Sequence, residues 1–311
     1  MSADSLSDPR PYRGRLAPSP TGFLHLGHAR TFWTAQQRAR EHGGTLILRN
    51  EDLDPDRCKA AFVSSMFEDL RWFGFQWQEG PDCGGAFGPY TQSERRPFYL
   101  SAFATLCVRG LVYPCACSRK DAQRALQAPH QGDEEPVYPG TCRTSSGFRV
   151  SSSELAVAMA ADSERGTRNA KAKKINWRFR VPDGETIGFE DVCQGTQSFI
   201  AGQDFGDFIV WRHDDVPSYQ LAVVVDDAAM EITEVVRGAD LLISTARQIL
   251  IYRALGLKLP AFYHCALMND ENGVRLAKRH DVLSLRTVRA KGVSPETLKQ
   301  SWQTGVHNGE Q

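Results

Sequence analysis

Hydrophobic and polar residues alternate in short blocks along the first quarter of the chain, and the spacing of the blocks changes from strand-like to helix-like. Residues 13–18 predict a short strand, residues 28–41 a helix, and residues 45–49 a second, strongly apolar strand. Residues 56–73 then place apolar side chains at helical spacing up to a glycine, a common helix end. This order of strand, helix, strand and helix is typical of a parallel α/β sheet.

The middle of the chain has a different pattern. Residues 113–174 are rich in Cys, Pro, Gly, Ser and Ala, and residues 144–174 read as a surface insertion with a short helix inside it. Regular patterns return beyond this region. Strands are predicted at residues 175–181, 208–212 and 219–225, and helices at residues 98–109, 241–255 and from Pro295 onward.

The composition is that of an ordinary folded protein with no overall charge. The chain has 311 residues, of which 41% are hydrophobic and 24% are charged, and this balance excludes disorder as its main state. A chain of this length is expected to form two domains. Lysine and arginine together number 37, as do aspartate and glutamate, which excludes a strongly basic coat for DNA but permits local contacts with nucleic acid.

The N-terminus and the cysteines bear on the cellular compartment. Residues 1–10 are polar, so no secretory signal is predicted, and no apolar run is long enough to cross a membrane. We therefore expect a cytoplasmic protein with no membrane partner. The eight cysteines are then expected to be thiols or metal ligands and not disulfides.

A Pro- and Gly-rich segment, RLAPSPTGFLHLGH at residues 15–28, joins the first predicted strand to the first helix. His25 and His28 lie three residues apart, so both face one direction at a helix start. Gly22 and Gly27 allow the backbone to approach a ligand, and a helix N-terminus favours phosphate. Taken alone, the segment is more simply a turn with two surface histidines.

A second segment, GVRLAKR at residues 273–279, carries three cations, and taken alone it is a solvated loop. Together, the two segments resemble the HIGH and KMSKS motifs of class I aminoacyl-tRNA synthetases, in the form found in the glutamyl branch. Three further motifs follow the order of that family, and the resemblance extends over about residues 13–285. They are RNEDLD at residues 49–54, SYQLAVVVDD at residues 218–227 and EVVRGAD at residues 234–240.

The resemblance implies a fold and a division of the chain. The implied fold is an α/β, Rossmann-like parallel-sheet catalytic domain with an inserted zinc-bearing subdomain and a small C-terminal helical region. Residues 1–112 would form the first half of the catalytic domain and residues 204–260 its second half. Residues 113–203 would form the insert, and residues 261–311 the KMSKS-type loop and a helical region like the family's stem-contact region.

The resemblance also implies an activity. The glutamyl branch activates L-glutamate with ATP, which brings Mg²⁺ with it. Only 32 residues follow Arg279, where full-length members continue into a helical anticodon-binding region. This length points to truncated members, which form glutamyl-adenylate without tRNA and transfer glutamate to queuosine in the anticodon loop of tRNA(Asp). The implied partners are ATP, L-glutamate and the tRNA(Asp) anticodon stem-loop, and we expect a monomer.

The resemblance assigns roles around ATP. Lys278 matches the motif lysine that steadies the leaving pyrophosphate, Arg275 keeps a positive charge at the first motif position, and Ala277 lacks the hydroxyl of the motif serine. The two histidines would contact the phosphates, and the glycine between them would make room for the adenosine. The implied catalytic residues are His25, His28 and Lys278, and the implied ATP-binding residues are His25, Gly27, His28, Arg275 and Lys278.

Glutamate carries two carboxylates and one ammonium, so its pocket needs cations and an anion. Arg15 and Arg237 suit the carboxylates through bidentate pairing, and Glu51 suits the ammonium. For Arg15 and Glu51 the alternative is a purely structural ion pair. The resemblance assigns glutamate binding to Arg15, Leu16, Ala17, Pro18, Ser19, Glu51, Tyr219 and Arg237.

Cysteines cluster in the middle region. Cys115, Cys117 and Cys142 offer three soft thiolates at close spacing, which suits Zn²⁺ but leaves one tetrahedral position open. The resemblance nominates Tyr138 for that position, and His130 is the rival ligand. We therefore expect one structural Zn²⁺ at Cys115, Cys117, Tyr138 and Cys142, and three ordinary reduced thiols are the alternative.

Other functions fit parts of the sequence. A minimal glutamyl-tRNA synthetase would charge tRNA(Glu) with the same catalytic motifs. A non-catalytic tRNA- or nucleotide-binding paralogue would account for the altered RLAKR loop, and a zinc-binding interaction module would account for the cysteines alone. Basic clusters at residues 171–174 and 286–291 are either phosphate contacts to tRNA or solvated surface.

Overall fold

A computed structural model of the chain describes residues 10–117, 137–143, 175–268 and 284–304, so the predicted insertion at residues 144–174 lies outside the described residues. The strands are β1 (Arg13–Leu16), β2 (Thr45–Leu48), β3 (Val112–Cys115), β4 (Asn176–Phe179), β5 (Thr186–Asp191), β6 (Gly195–Ile200), β7 (Phe208–Trp211), β8 (Glu234–Gly238) and β9 (Ala261–Cys265). The α-helices are α1 (Leu26–Glu41), α2 (Ala60–Phe73), α3 (Arg96–Val108), α4 (Tyr219–Ala229), α5 (Leu242–Leu255), α6 (Leu285–Ala290) and α7 (Pro295–Thr304).

Four parallel strands form the centre of the fold. β1 pairs with β2, and β8 pairs with β9, each pair in parallel and each joined by a helix, α1 in the first pair and α5 in the second. Thr233 connects the two pairs, because its N–H donates to the Arg13 carbonyl at 2.9 Å and its carbonyl accepts from Ala261 N–H at 2.8 Å. The parallel arrangement predicted from the first two strands is therefore confirmed.

Antiparallel strands make the architecture mixed. β5 and β6 form a hairpin that joins β9 through one residue pair, Asp191 and Phe262. β3, β4 and β7 form a separate antiparallel sheet. The first five residues of the region expected to be helical from residue 261 form strand β9 instead, because they pair along their whole length with β8.

The prediction of a strand at residues 219–225 is wrong, since these residues form the first part of helix α4. Ser218 caps this helix by accepting a hydrogen bond from Leu221 N–H, as serine favours at helix starts. The valine-rich run resembles a buried strand because residues 221–227 are all buried. Packing of the helix against α3, α5 and β7 accounts for that burial.

Two of the helices end at a glycine. Gly74 ends α2 with φ +87° and Gly256 ends α5 with φ +69°, a left-handed conformation that glycine adopts without strain.

The longest of the helices above, α1, has 16 residues. Among the residues that the structure describes, no helix combines the length and apolar character needed to cross a membrane.

Two apolar cores hold the central strands in place. One lies around α3, α4 and α5 and includes Tyr99 and Leu221, and the other lies among α1, α2, β1 and β2 and includes Leu16 and Phe73. Burying each such side chain contributes about 1.5–3 kcal/mol. The segments that follow β1, β2, β8 and β9 converge at one edge, so this rigid core positions whatever polar residues those segments carry.

Candidate active site

A cavity of about 460 Å³ lies where the carboxyl ends of β1, β2, β8 and β9 meet the first turn of α1. Open α/β sheets commonly bind ligands at this edge. The predicted residues that line it are Arg15, Ala17, Pro18, Ser19, His25, Gly27, His28, Glu51, Tyr219 and Arg237. Leu16 differs, because its side chain is fully buried in the apolar core. Arg275 and Lys278 lie outside the described residues.

Arg15 and Glu51 face the cavity, but each has its own ion-pair partner. Arg15 donates from Nη1 to the Val236 carbonyl at 2.8 Å, and its Nε lies 3.4 Å from Asp227 Oδ1. Glu51 Oε1 accepts from Arg49 Nη2 at 2.9 Å. The ion pairs of these described residues therefore join Arg15 to Asp227 and Arg49 to Glu51, which does not match the structural pair considered from the sequence.

A buried charge network lies behind these two residues. Arg49 is fully buried and donates to Asp227 Oδ1 at 2.6 Å as well as to Glu51. Desolvation opposes the ionised form of Asp227, but Arg49 and Arg15 outweigh it and lower the pKa of that carboxyl. Burial raises the pKa of Glu51, and Arg49 offsets this only in part. Asp227 is thus a firm anion that anchors two arginines, and sequence reasoning assigned it no role.

Arg237 is held on one edge by two side chains. Its Nε donates to His264 Nε2 at 3.1 Å, and its Nη2 donates to Thr245 Oγ1 at 2.6 Å. Its Nη1 lies 3.4 Å from the Tyr219 hydroxyl, which also lines the cavity. Arg237 and Tyr219 were predicted from the sequence, whereas His264 and Thr245 were not.

His264 is itself fixed by Asp191, which ends strand β5. The Nδ1 atom of His264 lies 2.5 Å from Asp191 Oδ2, and both residues are buried. Desolvation and the neighbouring Arg237 charge lower the pKa of His264 to about 4, against the opposing effect of Asp191. The imidazole is therefore neutral at physiological pH.

The two histidines of the HLGH segment close the other side of the cavity. His25 caps α1, because its Nδ1 accepts from the backbone N–H groups of Gly27 at 3.1 Å and His28 at 3.4 Å. The two imidazole rings stack with centroids 3.6 Å apart. A Cβ on Gly27 would lie 3.0 Å from the His25 ring, so glycine keeps this cap possible. The N-terminus of α1, where the sequence predicts a preference for phosphate, is thus capped by His25 itself.

The cavity is also lined by residues that were not predicted from the sequence, and Arg30, Thr31 and Asp240 are among them. Arg30 and Thr31 lie on α1, and Asp240 follows β8. Arg30 and Thr31 come three and four residues after Gly27, a spacing that repeats along one helix face and could have identified them. Arg30 adds a cation to the α1 side of the cavity.

The cysteine cluster forms as predicted in space. The sulfur atoms of Cys115, Cys117 and Cys142 all lie within 4.8 Å of one another, and all three side chains are free thiols. The Tyr138 hydroxyl lies 3.4 Å from Cys115 Sγ and 3.5 Å from Cys117 Sγ. Three thiols and one phenol make four donors around a single point, which fits a tetrahedral Zn²⁺. His130 lies outside the described residues.

A buried arginine packs against the cysteine cluster. Arg178 of β4 is buried, donates from Nε to Cys115 Sγ at 3.3 Å, and stacks 3.8 Å over the Tyr138 ring. Its Nη1 donates to the Asp207 carbonyl at 2.8 Å. Arg178 thereby fixes the positions of Cys115 and of the Tyr138 ring relative to each other.

Basic residues are exposed on and beside α6. Arg286, Arg289 and Lys291 face solvent, and the Arg286 guanidinium lies 5.0 Å from the centroid of the Phe23 ring. Exposed cations of this kind are suited to binding phosphate groups. Contact between this cluster and tRNA stays a prediction. The other basic cluster, at residues 171–174, lies outside the described part of the chain.

The family to which the sequence matches is consistent with the fold and the cavity described above. Residues 12–305 match the family described as tRNA synthetases class I (E and Q), catalytic domain. The chain therefore belongs to the class I aminoacyl-tRNA synthetases of the glutamyl and glutaminyl family.

Similar proteins narrow the comparison within this family. The chain is 49% identical to a glutamyl-Q tRNA(Asp) synthetase of Symbiobacterium thermophilum, over 92% of this chain and 83% of that protein. It is 46% identical to a protein of the same name from Nitratidesulfovibrio vulgaris, over 90% and 82%. A crystal structure of a glutamate tRNA ligase from Elizabethkingia meningosepticum in complex with its amino acid is 29% identical, with a TM-score of 0.70. That likeness covers 87% of this chain, which spans about half (52%) of the ligase.

Proposed function

We propose that this protein activates L-glutamate with ATP and then transfers the glutamate to queuosine in the anticodon loop of tRNA(Asp). The observation that carries the proposal is the charge of the cavity, where Arg15, Arg237 and Glu51 provide two cations and one anion. This set complements the two carboxylates and the ammonium of glutamate. The two relatives at 46–49% identity that are named glutamyl-Q tRNA(Asp) synthetase support the same substrate and the same tRNA.

In the first step, a glutamate carboxylate oxygen attacks the α-phosphorus of ATP, and the bond to pyrophosphate breaks. The arginines hold the two carboxylates and Glu51 holds the ammonium, so the reacting oxygen is positioned without covalent attachment to the protein. His25 and His28 contact the phosphates, and Lys278 steadies the pyrophosphate as charge develops on it. ATP would bring Mg²⁺ with it, and the bound ion would neutralise phosphate charge.

In the second step, a queuosine hydroxyl attacks the carbonyl carbon of glutamyl-adenylate, an ester bond forms, and AMP leaves. The cavity must admit a nucleoside as well as ATP and glutamate. Its opening beside Tyr219 and Leu267, which are 39% and 36% exposed, provides an accessible rim of partly apolar side chains. A single stem-loop requires few phosphate contacts, which suits a chain with no net charge.

The activity is tested by ATP–pyrophosphate exchange, followed by transfer to tRNA. We expect glutamate-dependent exchange in the absence of tRNA, and then glutamate on tRNA(Asp) that contains queuosine but not on tRNA(Asp) that lacks it. Glu51→Gln should lose exchange because it removes the anion for the ammonium. Glutamate at the 3′ end of tRNA(Glu) would identify a minimal glutamyl-tRNA synthetase, and absence of exchange would identify a binding paralogue.

We also propose one structural Zn²⁺, held by Cys115, Cys117, Tyr138 and Cys142. The donor set described above supports it, and the ion would link the end of β3 to the segment around Cys142. Purified protein should contain about one zinc per chain, and Cys142→Ser should reduce it. Cys83→Ser is the matched control, because Cys83 is an exposed free thiol elsewhere. Equal zinc content in the two variants would contradict this site.

The division of the chain into domains, its monomeric state and its cytoplasmic location are part of the same proposal. The separate antiparallel sheet of β3, β4 and β7 supports a distinct region that begins near residue 112, and its third strand, β7, lies at residues 208–211, within the proposed second half of the catalytic domain. Light scattering of the purified protein measures the oligomeric state directly, and a dimer mass would contradict the monomer.

A further inference from the structure

Behind the cavity, three buried side chains from three different strands form a chain of hydrogen bonds. Asp191 ends β5, His264 lies in β9 and Arg237 lies in β8, and each is at most 5% exposed. Asp191 Oδ2 lies 2.5 Å from His264 Nδ1, and His264 Nε2 lies 3.1 Å from Arg237 Nε. The cavity residue at the end of this chain is Arg237, whereas the other two have no contact with the cavity.

The partners of His264 determine which of its nitrogens carries the proton. Asp191 accepts hydrogen bonds from the backbone N–H groups of Cys193, Gln194 and His264, so its carboxylate acts as an acceptor throughout. The proton between Asp191 and the imidazole therefore belongs to Nδ1. Nε2 then presents a lone pair, which is what the N–H donor on Arg237 Nε requires.

The same contact determines the orientation of Arg237. Nε and Nη2 point to one edge of the guanidinium, and His264 and Thr245 occupy that edge. The Thr245 hydroxyl lies 2.9 Å from His264 Nε2, and when Nε2 carries the lone pair the Thr245 O–H can donate to it. The other end, formed by Nη1 and Nη2, contacts the Tyr219 hydroxyl, which lines the cavity, and a guanidinium end of this kind binds a carboxylate with two parallel hydrogen bonds.

We infer that Asp191 and His264 are positioning residues that hold one tautomer of the imidazole and thereby aim Arg237 at a carboxylate of the substrate. The inference rests on the proposed function, which makes that substrate glutamate. A guanidinium that is fixed before the ligand arrives loses no rotational freedom on binding, so the pair increases affinity for glutamate. The contact between His264 and Arg237 also disfavours the doubly protonated imidazole, because His264 Nε2–H and Arg237 Nε–H would then be two donors facing each other.

Asp191→Asn tests the tautomer directly. An asparagine oxygen can keep the backbone bonds of Oδ1, but its NH₂ group replaces Oδ2 and donates toward His264 Nδ1. The imidazole proton must then move to Nε2, where it opposes Arg237 Nε–H. We expect the KM for glutamate in pyrophosphate exchange to rise about tenfold or more, with the KM for ATP unchanged. An unchanged KM for glutamate would overturn the inference.

Two variants of His264 separate positioning from simple packing. The glutamine in His264→Gln places an amide oxygen near the former Nε2 and can still accept from Arg237, whereas His264→Phe fills the space without an acceptor. We expect the KM for glutamate to stay within a few-fold of the parent in the first and to rise about tenfold or more in the second. Equal effects of the two variants on the KM values for glutamate and ATP would indicate only a structural role.

A spectroscopic measurement separates failure of this inference from failure of the proposed function. Nitrogen chemical shifts of ¹⁵N-labelled protein report the imidazole tautomer without substrate. We expect protonated Nδ1 in the parent and protonated Nε2 in Asp191→Asn. A parent protein without glutamate-dependent exchange would contradict the proposed function, and the shifts would still decide the tautomer. A protonated Nε2 in the parent would overturn the inference whatever the activity.

Discussion

The two walls of the cavity are built in different ways. The wall formed by β1, β2 and β8 presents Arg15, Glu51 and Arg237, which are at most 7% exposed. Arg15 and Arg237 are held by buried partners on other elements, and Glu51 is held by Arg49 in its own segment. The wall formed by α1 presents His25 and His28, which are more exposed, stack on each other and bond to the first turn of their own helix.

The difference shows how fold stability and ligand binding are shared within one site. A buried charge must be paired, so each charged residue of the strand wall is also part of the structure. The histidines belong to a helix start at the surface, and the fold depends on them much less. Substitutions at the strand wall should therefore affect both stability and substrate binding, whereas substitutions at the helix wall should affect mainly the chemistry.

The largest effect is expected behind the strand wall. Arg49→Met should lower the free energy of unfolding by about 3–5 kcal/mol, because it leaves Glu51 and Asp227 buried without this cation. Denaturant unfolding monitored by circular dichroism measures the change. Arg40→Met is the control, because Arg40 is exposed and contacts only neutral glutamines within the described residues, and it should change stability by at most about 0.5 kcal/mol. Similar losses in both variants would remove the contrast between the walls.

Acid should also weaken the strand wall. The pKa of His264 is lowered to about 4 by burial and by Arg237 on β8 and Arg15 on β1, with Asp191 on β5 opposing. In the unfolded chain His264 takes up a proton near pH 6.5, whereas in the folded chain it does so only near pH 4. The free energy of unfolding is therefore at its full value above pH 6.5 and falls as the pH drops toward 4, by at most about 3 kcal/mol. Unfolding midpoints across this range measure the loss. His264→Gln should flatten this part of the profile, and an equally steep profile would contradict the assignment.

At the helix wall, the expected effect is on the chemical step. His28→Ala should lower the rate of pyrophosphate exchange about 10²-fold, because it removes the phosphate contact proposed for this residue, and should change stability by at most about 0.5 kcal/mol. The matched control is His42→Ala at the other end of α1, where the ring stacks on Tyr12. A large loss of stability in His28→Ala would show that this wall is structural too.

The smallest effect concerns the rim. Tyr219→Phe removes a hydroxyl that lies 3.4 Å from Arg237 Nη1, a long contact, so the KM for glutamate should rise only about two- to fivefold. The KM for ATP in the same assay is the internal control. A loss comparable with that of His264→Phe would mean that the tyrosine and not the histidine orients Arg237.

The strand–helix–strand order at the N-terminus could be predicted because its apolar spacing is local. The error at residues 219–225 has a physical reason. A helix buried all round shows no polar face, and three consecutive valines then favour a strand. The serine that caps this helix was the available signal, since serine followed by an apolar run marks a helix start.

Most cavity residues could be predicted because they occur in short motifs. Their supporting residues could not, since Asp191 and His264 lie 73 positions apart and Arg49 and Asp227 lie 178 apart. Tertiary contact alone brings these pairs together, and no local pattern signals it. A single sequence therefore identifies the groups that face the ligand more readily than those that hold them.

Thr233 has a consequence for the order of folding. It bonds to Arg13, 220 positions earlier, and thereby joins the strand that carries Arg15 to the strand that carries Arg237. Closing so long a loop costs entropy before any contact compensates for it, and such contacts slow folding. A chain still emerging from the ribosome has no glutamate pocket until β8 and β9 have been made, so synthesis as far as Cys265, the end of β9, precedes its first possible encounter with substrate.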